Sequence, residues 1–546
     1  MNQKMKNKVA VYIPILLAIT LATGFFIGNT LKKNSQINVA TLNRGETGKI
    51  GTILSLIQQG YVDSVNISRV VEKTIPEILK NFDPHTVYIP ARNMEEVQEE
   101  MQGNFSGIGI QFSIQEDTVR VVEVISGGPS DKVGIMPGDR IVTVNDSLIA
   151  GVKIQDNDVL KLLRGEKGTI VNVGIKRAGS KGLLDFGITR GDIPIYSVDV
   201  AYMINDETGY IKVNRFAETT YREFMDGMNK LVSQGAKKVI IDLRGNSGGY
   251  LMTVLRMVDE FLPKGELILY TKGAHQPKKT YKASGRDSFE GLGVYVLIDE
   301  NTASASEIFA GAIQDNDRGL IIGRRSFGKG LVQEQVPLSG GSALRLTVAR
   351  YYTPSGRCIQ KPYDKGTDAY YQDLYNRMAH GELEDADSIN FNDSLKYRTK
   401  SGRIVYGGGG IMPDIFVPAD TTGMSRYLNK LQRGIIDQFA YSYADRNRSI
   451  LDKFKNADEI EKYLDKQNIL DKLVKFAAQK GVPADPKGLK ESKEIIDIQT
   501  KAYIARNIIG EDGFYPIIRH IDNTLLKAIE VTKQNLLVQN VNGSPN

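Results

Sequence analysis

Apolar residues recur at helical spacing near the start of the chain and again towards its end. The clearest segments are ILSLIQQGYV, VVEKTIPEIL, LVKFAAQKGV and TLLKAIEVTK. The segment NFDPHTVYIP breaks the first pattern around Pro84. We therefore predict a helical N-terminal region over 36–98 and a helical C-terminal region over 421–546.

The period changes to alternation between about Gly103 and Gly179, which is typical of half-buried strands. The alternating segments are VRVVEVI, RIVTVND and IVNVGIK, and turn sequences rich in Gly, Pro and Asp separate them. The segment IQDNDVLKLLRG between two of these strands has the spacing of a short helix. The pattern predicts a compact β-rich module over 99–182.

Short apolar strands alternate with helices over 183–420. The predicted strands are GYIKV, KKVIIDL, GVYVLID and GLIIG, with helices such as YREFMDGMNKLVSQG and SASEIFAGAIQD between them. Such alternation predicts crossover units on a largely parallel sheet, whose strand ends are the usual place for a ligand site. The fold class expected for the whole chain is mixed α/β with several domains.

Composition narrows the function classes. A chain of 546 residues is too long for one hydrophobic core. Its 70 basic and 64 acidic residues leave a net charge of +6 without a basic stripe, so we do not expect a nucleic-acid partner. The single cysteine, Cys358, excludes an intrachain disulfide but does not identify the compartment.

The N-terminus predicts a membrane segment over 1–35. Lys4, Lys6 and Lys8 precede the range 9–28, which contains 20 residues without a formal charge, long enough to span a bilayer. We expect an uncleaved single-pass anchor in the cell membrane, with the catalytic part on the periplasmic side. A cleaved signal peptide is the alternative, and it would make the protein secreted or periplasmic.

A glycine-rich turn opens the β-rich module. Gly107, Ile108, Gly109 and Ile110 can turn backbone N–H groups towards a carboxylate, and the strand around Ile110 and Phe112 can pair with an added peptide. Taken alone, this segment is equally a simple turn into a strand. Together with SGGPSDKVGIMPGDRI it resembles a PDZ domain. The resemblance implies recognition of a C-terminal or extended peptide.

Ser304 lies where the strand GVYVLID turns into a helix, a place where a hydroxyl is exposed next to helical N–H donors. Ser304 and Ser306 could equally be helix caps. A nucleophilic serine needs a base, and we cannot pair any of the four histidines with this turn by sequence. Lys329, between two glycines after GLIIG, is the better candidate, provided that burial lowers its pKa by about 3 units.

The segments TASASEIFAGAIQD and SFGKGLVQ resemble the active-site signature of the C-terminal processing (tail-specific) serine proteases. In that family the catalytic Ser and Lys are 25 residues apart, and a Gln follows four residues later, as in Ser304, Lys329 and Gln333. The resemblance implies that Gln333 orients the lysine amine. Ser306 is out of this register, so we expect it to cap the helix. The resemblance implies a ClpP/crotonase-like α/β protease core with an inserted PDZ-like domain.

Further segments fit the same family. DLRGNSGG resembles its DLRxNPGG turn, with Ser247 in place of the usual Pro. We expect the oxyanion hole to use the N–H of Ala305 and one N–H from Gly248 or Gly249. Arg164 matches a PDZ arginine that senses bound peptide in some family members. Its other interpretation is a helix-end arginine on backbone carbonyls.

The resemblance implies a serine endopeptidase that binds protein or peptide substrates through their C-terminal segment. It needs no cofactor and no metal. A homo-oligomer or an adaptor stays open as a partner. Two alternatives also stay open: a catalytically inactive PDZ scaffold of the same fold, and a serine hydrolase with a histidine base.

Overall fold

Two helices form in the described part of the N-terminal region, at the segments whose apolar spacing predicts them. The computed structural model of the protein describes residues 47–125, 127–177, 179–389 and 392–534. The chain divides into two compact units, 1–78 and 79–546. Helix α1 spans Thr47–Gly60 and α2 spans Ile67–Leu79.

The described part of the chain contradicts the prediction of a single-pass membrane protein. Among the described residues, no helix is both long enough and apolar enough to cross a bilayer. The segment 9–28, to which we assigned the anchor, lies outside the described residues. The finding contradicts the predicted localisation, because it needs a spanning helix.

The β-rich module follows a short connecting region. The elements that lead into it are β1 (Val87–Ile89), α3 (Ala91–Gln102) and β2 (Asn104–Gly107). The module itself contains β3 (Ile110–Gln115), β4 (Thr118–Val124), α4 (Pro129–Val133), β5 (Arg140–Val144), β6 (Ser147–Leu148), α5 (Asp156–Leu163), β7 (Ile170–Lys176) and β8 (Leu184–Thr189). Its sheet has the order β3-β4-β5-β7-β8, and β6 pairs with β5. The three predicted strands and the predicted helix are confirmed.

The α/β core contains the strands and helices that follow in the chain. They are β9 (Gly191–Pro194), β10 (Val198–Met203), β11 (Thr208–Val213), α6 (Thr220–Ser233), β12 (Lys238–Asp242), α7 (Leu251–Asp259), β13 (Leu267–Lys272), β14 (Lys279–Lys282), β15 (Gly293–Ile298), α8 (Ala305–Asp315), β16 (Gly319–Gly323), β17 (Leu331–Pro337), β18 (Ala343–Tyr352), α9 (Thr367–Ala379), β19 (Lys396–Arg398), β20 (Ile404–Tyr406) and β21 (Ile415–Phe416).

Two sheets organise this core. The first has six strands in the order β10-β11-β12-β15-β16-β21. All its pairs are parallel except β10 with β11, which confirms the predicted largely parallel sheet. The second has the order β1-β18-β13-β14, and β17 also pairs with β18. Through β1, the segment that contains Pro84 joins the core.

Burial on both faces explains why the central strands are continuously apolar. Helices α6, α7 and α8 pack on one face, where Phe224, Val254 and Phe309 are fully buried. On the opposite face Leu525 and Val531, from the C-terminal part of the chain, belong to the cluster that covers the sheet. The parallel sheet is therefore a central layer between helices.

The C-terminal part is helical, as predicted. Its helices are α10 (Arg426–Leu431), α11 (Ile435–Leu451), α12 (Ala457–Leu464), α13 (Ile469–Gln479), α14 (Pro486–Glu491), α15 (Lys493–Ile509), α16 (Glu511–Ile518) and α17 (Asn523–Lys533). It has a hydrophobic core of its own, with Leu431, Leu473 and Ile504 among its fully buried residues. We call residues 426–534 the helical region below.

Candidate active site

Ser304 lies at a sharp strand-to-helix turn, between the end of β15 and the first residue of α8. Its backbone has φ 57° and ψ −114°, a conformation that side-chain-bearing residues rarely adopt. Two hydrogen bonds hold this turn against the segment after β12. The Thr302 hydroxyl donates to the Leu243 carbonyl (3.0 Å), and Ala303 N–H donates to the Asn246 carbonyl (3.0 Å). Strain of this kind is typical of functional sites.

The expectation that Ser306 caps this helix is wrong. Ser304 occupies the N-cap position, and Ser306 is already inside the first turn of α8. The Ser306 hydroxyl is buried and donates to the Asn246 carbonyl at 2.8 Å. Because the helix already starts at Ala305, the Ser306 hydroxyl lies within it and ties it to the turn after β12.

Lys329 follows β16 in a glycine-flanked loop and is largely removed from water. Burial lowers the pKa of Lys329 to about 8, and the nearby Arg345 lowers it too, whereas Glu307 and Asp83 act in the opposite direction. Its Nζ atom has no hydrogen-bond or ion-pair partner within the described residues. A side-chain hydrogen bond between Ser304 and Lys329 is therefore not among those of the described residues.

A buried carboxylate, Glu307, joins the Ser304 turn to the Lys329 loop. Its Oε2 accepts from the N–H groups of Ser304 and Lys329, both at 2.8 Å. Its Oε1 accepts from the Ser326 hydroxyl (2.5 Å) and from Gly328 N–H (2.7 Å). Burial raises the pKa of Glu307 to about 7, although these four donors favour its ionised form.

Tyr351, on β18, makes a second connection between the same two residues. Its hydroxyl lies 2.9 Å from the Lys329 carbonyl and 3.2 Å from the Ser304 carbonyl. The ring is fully buried, and burial raises the pKa of Tyr351 well above its usual value, so the hydroxyl keeps its proton and donates. Glu307 and Tyr351 together hold the backbones of Ser304 and Lys329 on two sides.

The glycine turn after β12 lies directly against Ser304. A Cβ atom at Gly248 would be 2.8 Å from the Ser304 Cβ atom, so only glycine permits this approach. Gly248 N–H donates to the Asn246 side chain at 2.9 Å. Within the described residues, the N–H groups of Gly249 and Ala305 have no hydrogen-bond partner. This difference favours Gly249 over Gly248 as the second oxyanion donor.

Gln333, on β17, contacts a different partner from the one we expected. Its Nε2 atom donates to the His85 carbonyl, and no hydrogen bond between Gln333 and Lys329 occurs in the described structure. The side chain is nevertheless placed beside the site, because the His85 segment also borders Lys329. The predicted role of Gln333 in orienting the lysine amine stays a prediction.

His85 is the one histidine that the fold brings to the lysine, at least among residues the structure describes. Its Nε2 atom lies 2.9 Å from the Tyr370 hydroxyl, and Asp83 accepts from its backbone N–H. Burial, together with the charge of Lys329, lowers the pKa of His85 to about 4. This imidazole is therefore neutral and a weak base at neutral pH.

The turn that we predicted to bind peptide lies between β2 and β3. Gly107 ends β2, Gly109 has φ 77°, and Ile110 begins β3. In the described structure β3 pairs only with β4, so its other edge is open. Phe112 lies in the middle of β3 and lines a cavity beside that edge.

Arg164 does not cap its helix through backbone carbonyls but pairs with a residue outside the module. Its Nη1 atom lies 3.1 Å from Glu99 Oε2, on α3. Its guanidinium also lies 4.4 Å from the centre of the Phe105 ring. The arginine thus connects the β-rich module to the segment that leads into it.

A buried charge network fixes the start of the glycine turn. Asp242 ends β12, and its carboxylate accepts from Arg244 (2.6 Å) and from the Tyr210 hydroxyl (2.7 Å). Although burial disfavours its charge, Arg244 and Lys212 keep the pKa of Asp242 well below its usual value. Arg244 also binds Asp522 of the helical region through two hydrogen bonds, of 2.8 and 2.6 Å.

Comparison with known proteins defines the class to which this site belongs. The profile of peptidase family S41 matches residues 207–368, and the PDZ domain profile matches residues 106–186. A third profile, a family of unknown function named DUF8443, matches residues 427–510 in the helical region. These matches define a serine peptidase with a PDZ domain and an additional helical part.

Curated relatives give the narrower family. The chain is 34% identical over 351 residues to the carboxy-terminal-processing protease of Bartonella bacilliformis, covering 63% of this chain and 80% of that protein. It is 31% identical over 348 residues to the carboxy-terminal processing protease CtpB of Bacillus subtilis, covering 63% and 72%. The protein belongs to the carboxy-terminal processing protease family, and it is a serine endopeptidase.

A solved structure, the photosystem II D1 C-terminal processing protease, is also similar. It is 24% identical, covers 69% of this chain and 94% of its own, and has a TM-score of 0.35.

Sequence reasoning missed three residues of this framework: Glu307, Tyr351 and His85. A local signal existed for Glu307, because Ser304 followed three residues later by Glu is a capping-box pattern. Tyr351 and His85 lie 47 and 219 residues from Ser304 in sequence, and no periodicity connects them to it.

Proposed function

We propose that this endopeptidase cleaves protein substrates with Ser304 as nucleophile and Lys329 as general base. The observation that supports the proposal most directly is the buried Lys329, whose pKa of about 8 leaves part of the amine neutral near pH 7. Its loop and the Ser304 turn share two buried partners, Glu307 and Tyr351. A base and a nucleophile held on one framework are what acyl transfer needs.

The reaction follows from these positions. Neutral Lys329 accepts the Ser304 proton while Oγ attacks the scissile carbonyl, and the oxyanion binds the N–H groups of Ala305 and Gly249. The lysine ammonium then gives its proton to the leaving amine, and an acyl-enzyme forms. Lys329 next accepts a proton from the water that attacks the ester. It returns this proton to Ser304 Oγ as the ester bond breaks and the new C-terminal acid leaves. Gln333 remains our candidate for orienting the lysine amine.

Substrate recognition is proposed to use the PDZ-like module. The terminal carboxylate would bind at Gly107–Ile110, and the adjoining peptide would add a strand to the open edge of β3. Arg164 is our candidate for sensing the bound peptide, because it already connects the module to Glu99 on α3.

A histidine base is a weaker alternative. Only His85 lies near the lysine among the described residues, and its pKa of about 4 makes it a poor base at neutral pH.

The test is cleavage of an unfolded protein and of a peptide that carries an apolar C-terminus. Ser304→Ala and Lys329→Ala should each reduce kcat by at least about 10³-fold, because each removes a reacting group. Ser233→Ala, which changes an exposed serine at the end of α6, serves as a control, and His85→Gln tests the alternative base. Wild-type rates in either of the first two variants would contradict the assignment, as would a loss of acylation in His85→Gln alone.

A further inference from the structure

A large cavity lies between the PDZ-like module, the protease core and the helical region. Its volume is about 1470 Å³. The module contributes every residue of β3 together with the start of α5, and the core contributes residues around Asp199. The helical region contributes Asp437 and Tyr441 of α11 and residues around the α15–α16 junction. The helical region thus forms the wall that faces the open strand edge.

Contacts hold this wall in place on both sides. Tyr441 is buried, and its hydroxyl donates to the carbonyl of Val121 on β4 (3.4 Å). The Tyr515 hydroxyl, on α16, donates to the carboxylate of Asp199, on β10 of the core, at 2.7 Å. The helical region therefore touches the module and the core at the same cavity.

The open edge of β3 defines the shape of an occupant. An unpaired strand edge binds an extended chain through main-chain hydrogen bonds. If the terminal carboxylate lies at Gly107–Ile110, the chain runs antiparallel to β3 and away from that turn. The six residues of Ile110–Gln115 can pair with a similar number of peptide residues, which would lie inside the cavity.

The charges around the cavity define the chemistry of that occupant. Two guanidiniums line the cavity, and each already faces a carboxylate of the helical region: Arg506 faces Glu511, and Arg448 faces Asp452. Four further carboxylates line the cavity, and none of them forms an ion pair with any described residue. They are Glu123, Asp156, Asp199 and Asp437. With Glu511 the lining carries five carboxylates against two guanidiniums, so its net charge is negative, although the charge of Arg506 also acts on Asp437.

We propose that the helical region is a substrate-binding element, and that this cavity selects substrate tails with basic residues upstream of the bound C-terminus. The proposal rests on the proposed peptide-binding role of the module, and it assigns a function to a region that carries no catalytic group.

The experiment measures peptide binding by fluorescence anisotropy on the full chain with Ser304→Ala, which separates binding from cleavage. Two peptides share one apolar C-terminal tripeptide and carry either lysines or glutamates at the four preceding positions. We expect the lysine peptide to bind at least about fivefold more tightly at low salt, with the difference shrinking as salt rises. Asp437→Asn should reduce that preference about twofold.

Asp458→Asn is the matched control, because Asp458 is also an exposed aspartate in the first turn of a helix of the same region, away from the cavity. It should leave the preference unchanged. Equal binding of both peptides, no binding of either, or an unchanged preference in Asp437→Asn would overturn the proposal. A dimer that competes with the peptide would identify a second copy as the occupant and would also overturn it.

These outcomes are distinct from a failure of the proposed catalytic site. If the Ser304→Ala protein still cleaves substrate, the nucleophile assignment fails, whereas the lysine preference can stand. If the wild-type protein cleaves but shows no charge preference, only the role of the helical region fails.

Discussion

At the scale of single residues, two buried groups decide whether nucleophile and base can work together. Glu307 accepts four hydrogen bonds from the Ser304 turn and the Lys329 loop, and it can do so fully only when ionised. Lys329 can act as a base only when neutral. Both conditions are met at higher pH, because the pKa of Glu307 is about 7 and that of Lys329 is about 8.

The pH profile of kcat/KM should therefore rise with pH and become level above about 8. Below about 7 both groups are in the wrong protonation state, so the logarithm of the rate should rise with a slope near two. Glu307→Gln should remove the lower transition and reduce the plateau. It should also lower the upper pKa, because the carboxylate favours the charged lysine. An unchanged profile in Glu307→Gln would exclude this role.

Tyr351→Phe should separate alignment from chemistry. Loss of a hydroxyl that contacts the carbonyls of Ser304 and Lys329 should cost about 1 kcal/mol of unfolding free energy and lower kcat more than it raises KM. Tyr352→Phe is the matched control. The Tyr352 ring lies nearer the surface and stacks on Tyr270, with the ring centroids 4.7 Å apart. Urea unfolding and steady-state kinetics measure both effects, and equal kcat values in the two variants would contradict the prediction.

At the scale of elements, the helical region supports the protease sheet directly. Helix α17 covers one face of the six-stranded sheet, and Lys238 of β12 donates to the Thr532 carbonyl at 2.7 Å. Asp522, just before α17, binds Arg244 at the start of the turn that contains Gly248 and Gly249. A substitution of Asp522 should therefore alter the positions of the proposed oxyanion donors.

Asp522→Asn should reduce both stability and kcat. It removes a charge that pairs with Arg244 through two hydrogen bonds, and we expect a loss of about 1–3 kcal/mol in unfolding free energy. Because the glycine turn would loosen, kcat should fall while KM changes little. Asp512→Asn, an exposed aspartate on α16, is the control. A purely structural role would lower the melting temperature and leave kcat of the folded enzyme unchanged.

At the scale of the whole molecule, Arg164 connects the β-rich module, our proposed peptide-binding part, to helix α3. Its partner Glu99 lies on α3, outside the β-rich module, and also accepts weakly from Ser106 N–H (3.4 Å). If Arg164 senses peptide, this ion pair is the contact that must change when peptide binds.

Glu99→Gln should raise the cleavage of a substrate that lacks a recognised C-terminus by about two- to fivefold, since an ion pair at a half-exposed site contributes little more than that. Cleavage of a substrate with the recognised C-terminus should change less. Glu100→Gln, on the same helix, is the control, and Arg164→Ala should abolish the difference between the two substrates. Equal effects on both substrates would exclude a sensing role.

The sequence by itself determined the elements and the place of the catalytic residues along them. Period-two and helical spacing are local properties, so the strands, the helices and the strand-to-helix turn at Ser304 follow from them. The 25-residue interval from Ser304 to Lys329, through the family resemblance, predicts the catalytic pair without any coordinates. The strained backbone at Ser304 was not predictable in the same way, and the cap expected at Ser306 was wrong because the helix begins at Ala305.

Only the tertiary structure decided what surrounds that pair. Tyr351 and Asp522 reach the site through sheet pairing and helix packing, which join residues far apart in sequence. The lowered pKa of Lys329 depends on how deeply its loop is buried and on Arg345, and neither can be obtained from spacing. The helical region has ordinary amphipathic periodicity, and its position over the sheet and beside the open edge of β3 arises only when the apolar surfaces pack together.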